Sequence, residues 1–324
     1  MRTMHKQTHE PRVWFEVDGV RVDATDWHWY PHRFAGAVFF ADPKEVASQL
    51  PSPPLHPMKF VPNRASLMVY GAHYTAVGRE PPYFGFGEMA VVTYVTRGLQ
   101  PAPPLVPALG KRAMGRHGFG EYMLMLVVTN RMAAETYRLL AGIPAVVGDI
   151  RHEQRLDRER FVCEVDGELV CDLSIRSDGR PTVDSSGQAM VEQGLGLYVT
   201  EDDQLYTLPM DEAGVSRCRY GRKAAVLKLG HHPLGERLHS LDLSRSWAAE
   251  FCPDRHFWLT GHPNAVGQIE SSGRAPADSD KVQGRLVYSP TEGVEIEEDQ
   301  GLDNLGFDPA GTFTGPTLRD RSRA

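Results

Sequence analysis

Short segments of two-residue alternation or of continuous apolar residues, each closed off by glycine, proline or a turn-forming polar residue, recur along this chain and leave little room for anything but a sheet-based fold. They fall at residues 13–22, 36–40, 67–70, 88–95, 122–128, 161–165, 169–175 and 224–229. Helical signals are fewer. Asp42 followed by Pro43 is an N-cap with proline at the first helical position, and predicts a helix over 43–50. Asn130 precedes a run of helix formers over 131–141, which Gly142 and Pro144 terminate. The 31 glycines and 24 prolines among 324 residues fit a chain of many turns. An apolar share of 41% is enough for a sizeable core, and residues 12–270 read as one β-rich α+β domain. From Ser271 onward the character changes. There, 10 acidic and 6 basic side chains stand among Gly, Ser, Pro and Thr, which predicts a loosely ordered acidic tail over 271–324.

The net charge is −7 and no long basic stripe is present, so nucleic acid and anionic membrane surfaces are not expected partners. No apolar run approaches the ~18 residues of a membrane span. Residues 1–11 lack the apolar core of a secretion signal, and the cytoplasm is the expected compartment. Cys163, Cys171, Cys218 and Cys252 show no C-x-x-C spacing, which leaves a zinc framework without support. With a three-residue loop at 166–168, Phe161, Cys163 and Val165 would face Leu169, Cys171 and Leu173 across a hairpin. The two thiols would then be neighbours, expected free rather than bridged in a reducing compartment. Pro31 breaks the helical spacing of His28 and His32, and neither the adjacent His231 and His232 nor His256 and His262 has a carboxylate at ligand spacing. No P-loop, dinucleotide loop or nucleophile elbow occurs, and no metal or cofactor is expected.

Residues 120–146, GEYMLMLVVTNRMAAETYRLLAGIPAV, resemble the core signature of the acetoacetate decarboxylase-like superfamily. In that signature an acidic residue and a tyrosine open a strand and a polar pair ends it. A helix carrying Gly-Arg-Glu then leads to Pro-Lys. The matching residues are Glu121 and Tyr122, Thr129 and Asn130, Tyr137 with Arg138 and Leu139, and Pro144. Upstream, Phe84, Phe86 and Glu88 with the strand that follows resemble the family's aromatic-x-Glu strand. His32 and Arg33 stand where the family places a substrate-orienting arginine. The resemblance covers roughly residues 28–240. It implies a closed, cone-like antiparallel β-barrel with a few flanking helices, a small-molecule substrate and assembly into homo-oligomers. The proline-rich segment 99–109 would border the barrel's mouth.

The family's chemistry depends on a lysine amine, kept neutral by a neighbouring cation and by desolvation, that captures the substrate ketone as an imine. Here Ala145 and Val146 follow Pro144, and Leu139 replaces the glutamate. Without an imine, the electrons released by a departing carboxylate lack the protonated sink on which the family's chemistry relies. Of the lysines, Lys228 alone lies in an apolar strand-like run, sharing a face with Val226 and Gly230. Facing inward it would be desolvated; facing outward it would be an ordinary surface lysine. Glu88 shares its face with Ala90, Val92 and Tyr94, surroundings that raise a carboxyl pKa toward the range useful for acid–base work.

The expected site therefore has Glu88 as general acid/base and Arg33, or His32 if the register slips by one, orienting an acidic substrate. Lys228 is the amine that could be relocated to it, and Tyr122, Arg138, Ala145 and Val146 hold family positions around it. The favoured reading is an enzyme without Schiff-base chemistry, of lyase or isomerase type. Its substrate would be a small oxo- or hydroxy-acid or a polyketide-like molecule, and its reaction hydration/dehydration, enolisation or cyclisation. The alternatives are a non-catalytic ligand-binding barrel and a decarboxylase using a relocated Lys228.

Overall fold

The computed structural model describes residues 14–17, 20–23, 27–51, 55–77, 84–104, 111–141, 143, 145–182, 196–201, 204–208, 210–259 and 264–268. The tail over 271–324, with the domain boundary before it, and residues 105–110 of the proline-rich segment lie outside the described residues.

The chain is β-rich with few helices. Four strands form its centre: Trp27–Ala41, Arg64–Val77, Phe84–Arg97 and Gly120–Val128. They pair antiparallel in that order. Both faces are buried. Ala35, Ala37, Phe39, Leu67, Met89 and Val91 enter one core, while Phe34, Met68, Ala72, Phe86, Ala90 and Val92 enter a second on the opposite face. This double burial is why the strands read as near-continuous apolar runs in the sequence.

The expected closed antiparallel barrel is not what the pairing shows. The central strands belong to a 15-stranded sheet whose path runs from Arg180–Thr182 to Asn264–Gln268, with no pairing between its ends among the described residues. The far edge of Gly120–Val128 is divided between two short strands, Leu197–Glu201 and Val146–Val147, and both lie parallel to it. One antiparallel return strand along that edge is thereby excluded.

A second, four-stranded antiparallel sheet is built from Asp149–Arg155, Arg158–Val165, Glu168–Arg176 and Ala225–Leu229. Its inner side chains, among them Phe161, Leu173 and Ile175, complete the first core. Phe161 lies flush on Gly71, where an added Cβ would stand 2.3 Å from the ring. Asp166 and Gly167 take positive φ (52° and 78°), so the hairpin turns in two residues rather than the expected three. A register shift between Cys163 and Glu164 compensates, and Cys163 still faces Cys171. Both thiols are buried and free.

Helix Pro43–Ser48 forms behind its Asp42 cap, whose carboxylate accepts the Lys44 amide at 2.7 Å; it is two residues shorter than expected. Helix Arg131–Ala141 forms as its sequence predicts. Helices Lys111–Arg116 and Pro233–His239 were not expected. No described helix is long and apolar enough to cross a membrane.

Candidate active site

Glu88 sits between Ala72 and Val128 in register, and the row continues to Phe34. It therefore faces the second core, on the side of Ala90, Val92 and Tyr94. Its side chain is fully buried. A carboxylate in such a place needs hydrogen-bond partners, and two elements supply them. Tyr70, on the neighbouring strand, donates its hydroxyl to Oε1 at 2.6 Å. Tyr137, from helix Arg131–Ala141, donates to Oε2 at 2.5 Å. Tyr74 contributes a further hydroxyl. Arg255, just past strand Ala248–Cys252, lays its guanidinium 3.9 Å from the centre of the Phe34 ring and acts on Glu88 through its charge.

The polar pair of the sequence signature fixes the helix that delivers Tyr137. Thr129 Oγ1 accepts the Gly87 amide at 2.8 Å. Asn130 caps the helix by accepting the Ala133 amide at 2.8 Å, and its own side-chain amide donates to the Gly85 carbonyl at 3.0 Å. Both ties land on the strand segment that carries Glu88. Tyr137 stands one turn beyond Ala133, on the face that Ala133 and Ala134 press into the core. These small side chains let the helix sit close enough for a tyrosine to reach the carboxylate.

Burial pushes the Glu88 carboxyl above the usual carboxylate range; the hydroxyls of Tyr137 and Tyr70, the charge of Arg255 and the Tyr74 hydroxyl pull it back without reversing the shift. Burial, reinforced by the charge of Glu88, lifts the Tyr70 and Tyr137 hydroxyls well above the ordinary phenol range, so they remain protonated donors. The arrangement is a carboxyl group that keeps its proton to higher pH than an exposed glutamate, held by hydroxyls through which a proton can be relayed.

Most other expected residues do not gather around Glu88. Arg33 is one residue out of phase: it pairs with His73, not Ala72, and so lies on the opposite face of the sheet. There its Nη1 donates to the buried Glu159 at 3.0 Å, while His152 Nε2 meets the other carboxylate oxygen at 2.6 Å. The expected partnership of Glu88 with Arg33 is thus corrected; among the described residues, the cation acting on Glu88 is Arg255. The side chain of His32 lies outside the description. Tyr122 packs against the first core, where burial raises its hydroxyl pKa against a hydrogen bond with Thr200. Arg138 is exposed and bound to Glu135 at 2.6 Å. Ala145 does pack against Glu88's core, whereas Val146 is exposed beside Val127.

Lys228 points outward. Its side chain is 71% exposed, with Nζ 3.9 Å from Asp172, so the face it shares with Val226 is the solvent face and the relocated-amine reading fails. None of the lysines whose side chains are described, Lys44, Lys59, Lys223 and Lys228, is buried. Among the described residues no cluster of three His, Cys, Asp or Glu could hold a metal. Tyr70, Tyr74 and Arg255 carry no local signal in the sequence that points to Glu88. Tyr137 belongs to the signature stretch, and its spacing from the Asn130 cap is the signal for its reach to Glu88.

No protein-family model matches the chain, and no curated protein matches it in sequence. Solved structures match it in shape. The enduracididine biosynthesis enzyme MppR, complexed with the condensation product of pyruvate and imidazole 4-carboxaldehyde, is 14% identical and aligns with a TM-score of 0.55 over 74% of this chain and 88% of its own. Acetoacetate decarboxylase from Legionella pneumophila is 12% identical, with a TM-score of 0.55 over 75% of this chain and 87% of its own. An acetoacetate decarboxylase-like enzyme from Sphingomonas wittichii is 13% identical, with a TM-score of 0.53 over 76% of this chain and 94% of its own. The arrangement of strands and helices described above is the acetoacetate decarboxylase-like fold.

Proposed function

We propose that this protein is an enzyme on the acetoacetate decarboxylase-like scaffold that works by proton transfer rather than through a lysine imine. Glu88 is its general acid/base, Tyr70 and Tyr137 its hydroxyl donors, and Arg255 the cation nearest the reacting group. The substrate class is a small oxo- or hydroxy-acid or a polyketide-like molecule. The reaction is enolisation, hydration/dehydration or cyclisation, each of which moves a proton next to a carbonyl that itself takes up the electron pair, so that no imine is required. The observation carrying this reading is the fully buried Glu88 carboxyl with both oxygens on tyrosine hydroxyls. The same saturation favours a second reading, a non-catalytic ligand-binding module in which the cage is structural.

Deuterium exchange separates the two. In heavy water, with a panel of 2-oxo and 3-oxo acids, the enzyme reading expects NMR-detected exchange next to the carbonyl of at least one member. Glu88→Gln should slow it by roughly a hundredfold or more, the span of a general acid/base contribution. Borohydride added during turnover should leave no reduced adduct on any lysine. Exchange unchanged in Glu88→Gln, or a trapped lysine adduct, overturns the proposal. Binding of a panel member without exchange supports the second reading.

A further inference from the structure

On the outer face of the four-stranded sheet, one row of directly opposed residues is Arg155, Arg158 and Arg176. Like charges facing each other across strands repel. Arg176 is closely neutralised, by Asp178 at 2.6 Å and Asp157 at 3.2 Å. Arg155 and Arg158 meet Glu153 and Asp157 only at 4.0 Å and are 75% and 45% exposed. Beside this row, Arg160 is held by Glu153 at 3.1 Å and Asp172 at 2.9 Å, with Lys228 3.9 Å from Asp172. Arg155, Arg158, Arg160 and Lys228 line an open groove with Glu153 and Asp172. Four cations face two anions there, and the excess positive charge sits on the exposed arginines.

The same chain carries a segment of matching charge. Residues 286–318 contain seven carboxylates and no Lys or Arg, and five of the seven fall between Glu292 and Asp299. Gln268, the last described residue, is followed by 23 residues before Glu292. Extended, these span about 75 Å. A folded body of this size has a radius of gyration of about 18 Å, so the acidic segment can reach any part of its surface. We propose that residues 292–299 dock on the arginine groove of their own chain and cover the outer face of the four-stranded sheet. Solvent-exposed charge pairs of this kind are weakened by salt. The proposal is independent of any role for Glu88.

The test uses the full chain. A carbodiimide condenses a carboxylate with an adjacent amine, with loss of water and no spacer, and Lys228 is the amine of the groove. Peptide mass spectrometry should find an amide between Lys228 and a carboxylate of residues 292–299. In a mixture of nitrogen-15-labelled and unlabelled protein, that amide should join peptides of the same label. Its yield should fall roughly threefold or more in Arg155→Glu/Arg158→Glu, which keeps the amine, and likewise in wild-type protein at about 0.5 M salt. The salt arm serves if the double variant does not fold. Absence of the amide, an amide joining mainly different copies, or a yield indifferent to both charge reversal and salt would each overturn the proposal.

Discussion

Glu88 ties stability to pH in a direction opposite to that of an ordinary salt-bridged acid. Its folded pKa is raised, chiefly by burial. Between the ordinary carboxylate range and that raised value, the folded state holds a proton that the unfolded state has lost. The stabilisation is fully present below the unfolded pKa and is lost as pH rises through the folded one. Urea unfolding of the wild type should therefore show a midpoint that falls with pH above the ordinary glutamate range. Glu88→Gln should remove that part of the slope, and equal slopes in both proteins would contradict the assignment. Tyr137→Phe deletes a hydroxyl that pulls the carboxyl pKa down, so the falling limb should extend to higher pH. At pH values where Glu88 is ionised, the variant should also lose about 1.5–3 kcal/mol, the range for a hydrogen bond to a charged group. The face occupied by Glu88 was legible in the sequence because alternation within one strand is a local pattern. The place of Arg33 was not. Whether it shares a face with Glu88 depends on the register between strands, and shifts flanking Pro31 set that register without leaving a mark in the local pattern.

Elements whose signals are local matched the sequence reading; those defined by distant partners did not. Helix Arg131–Ala141 announces itself through Asn130, and the hydrogen bonds of that side chain show why the residue matters twice. Asn130→Ala removes the cap and the tie to Gly85, and should cost about 1–2 kcal/mol, the upper part of the range for a lost cap. Asn130→Asp keeps the acceptor for Ala133 but turns an oxygen toward the Gly85 carbonyl, so it should not fully restore stability. Chemical denaturation of the three proteins checks the order, and a wild-type-like Asn130→Ala would show that the helix is held by packing alone. Strand Asp149–Arg155, by contrast, reads DIRHEQR, with one apolar residue in seven. Its place at a sheet edge comes from pairing with Arg158–Val165 and from ionic contacts such as Arg151 with Glu164 at 2.7 Å. No single-strand periodicity can reveal that. The split edge of Gly120–Val128 is hidden for the same reason, since parallel neighbours are a property of topology rather than composition.

At the scale of the molecule, the hairpin and edge strands of the smaller sheet would alternate identically whether they closed a barrel or stacked as a second layer, and the distinction lies in what joins the layers. Contacts at the Arg33 side of the first core do so. Phe161 rests on Gly71, and Glu159, 2% exposed, binds both Arg33 from the large sheet and His152 from its own. A buried ion pair contributes little net stability compared with a well-packed apolar pair, because desolvation offsets the attraction, yet removing one member strands the other. Glu159→Ala should therefore cost about 3–5 kcal/mol. Replacing both charges, as in Arg33→Met/Glu159→Leu, should recover a large part of that loss. Gly71→Ala should be destabilising on a separate account, since the added methyl would stand 2.3 Å from the ring of Phe161, which is fully buried and stacked on His152. Urea titration of the single and double charge variants, with hydrogen exchange followed in both sheets, is the measurement. If the ion pair joins the layers, Glu159→Ala should accelerate exchange in the smaller sheet more than in strands Arg64–Val77 and Phe84–Arg97. Equal losses in the single and double variants would mean that Arg33 is not stranded by the loss of Glu159, and that apolar packing alone joins the two sheets.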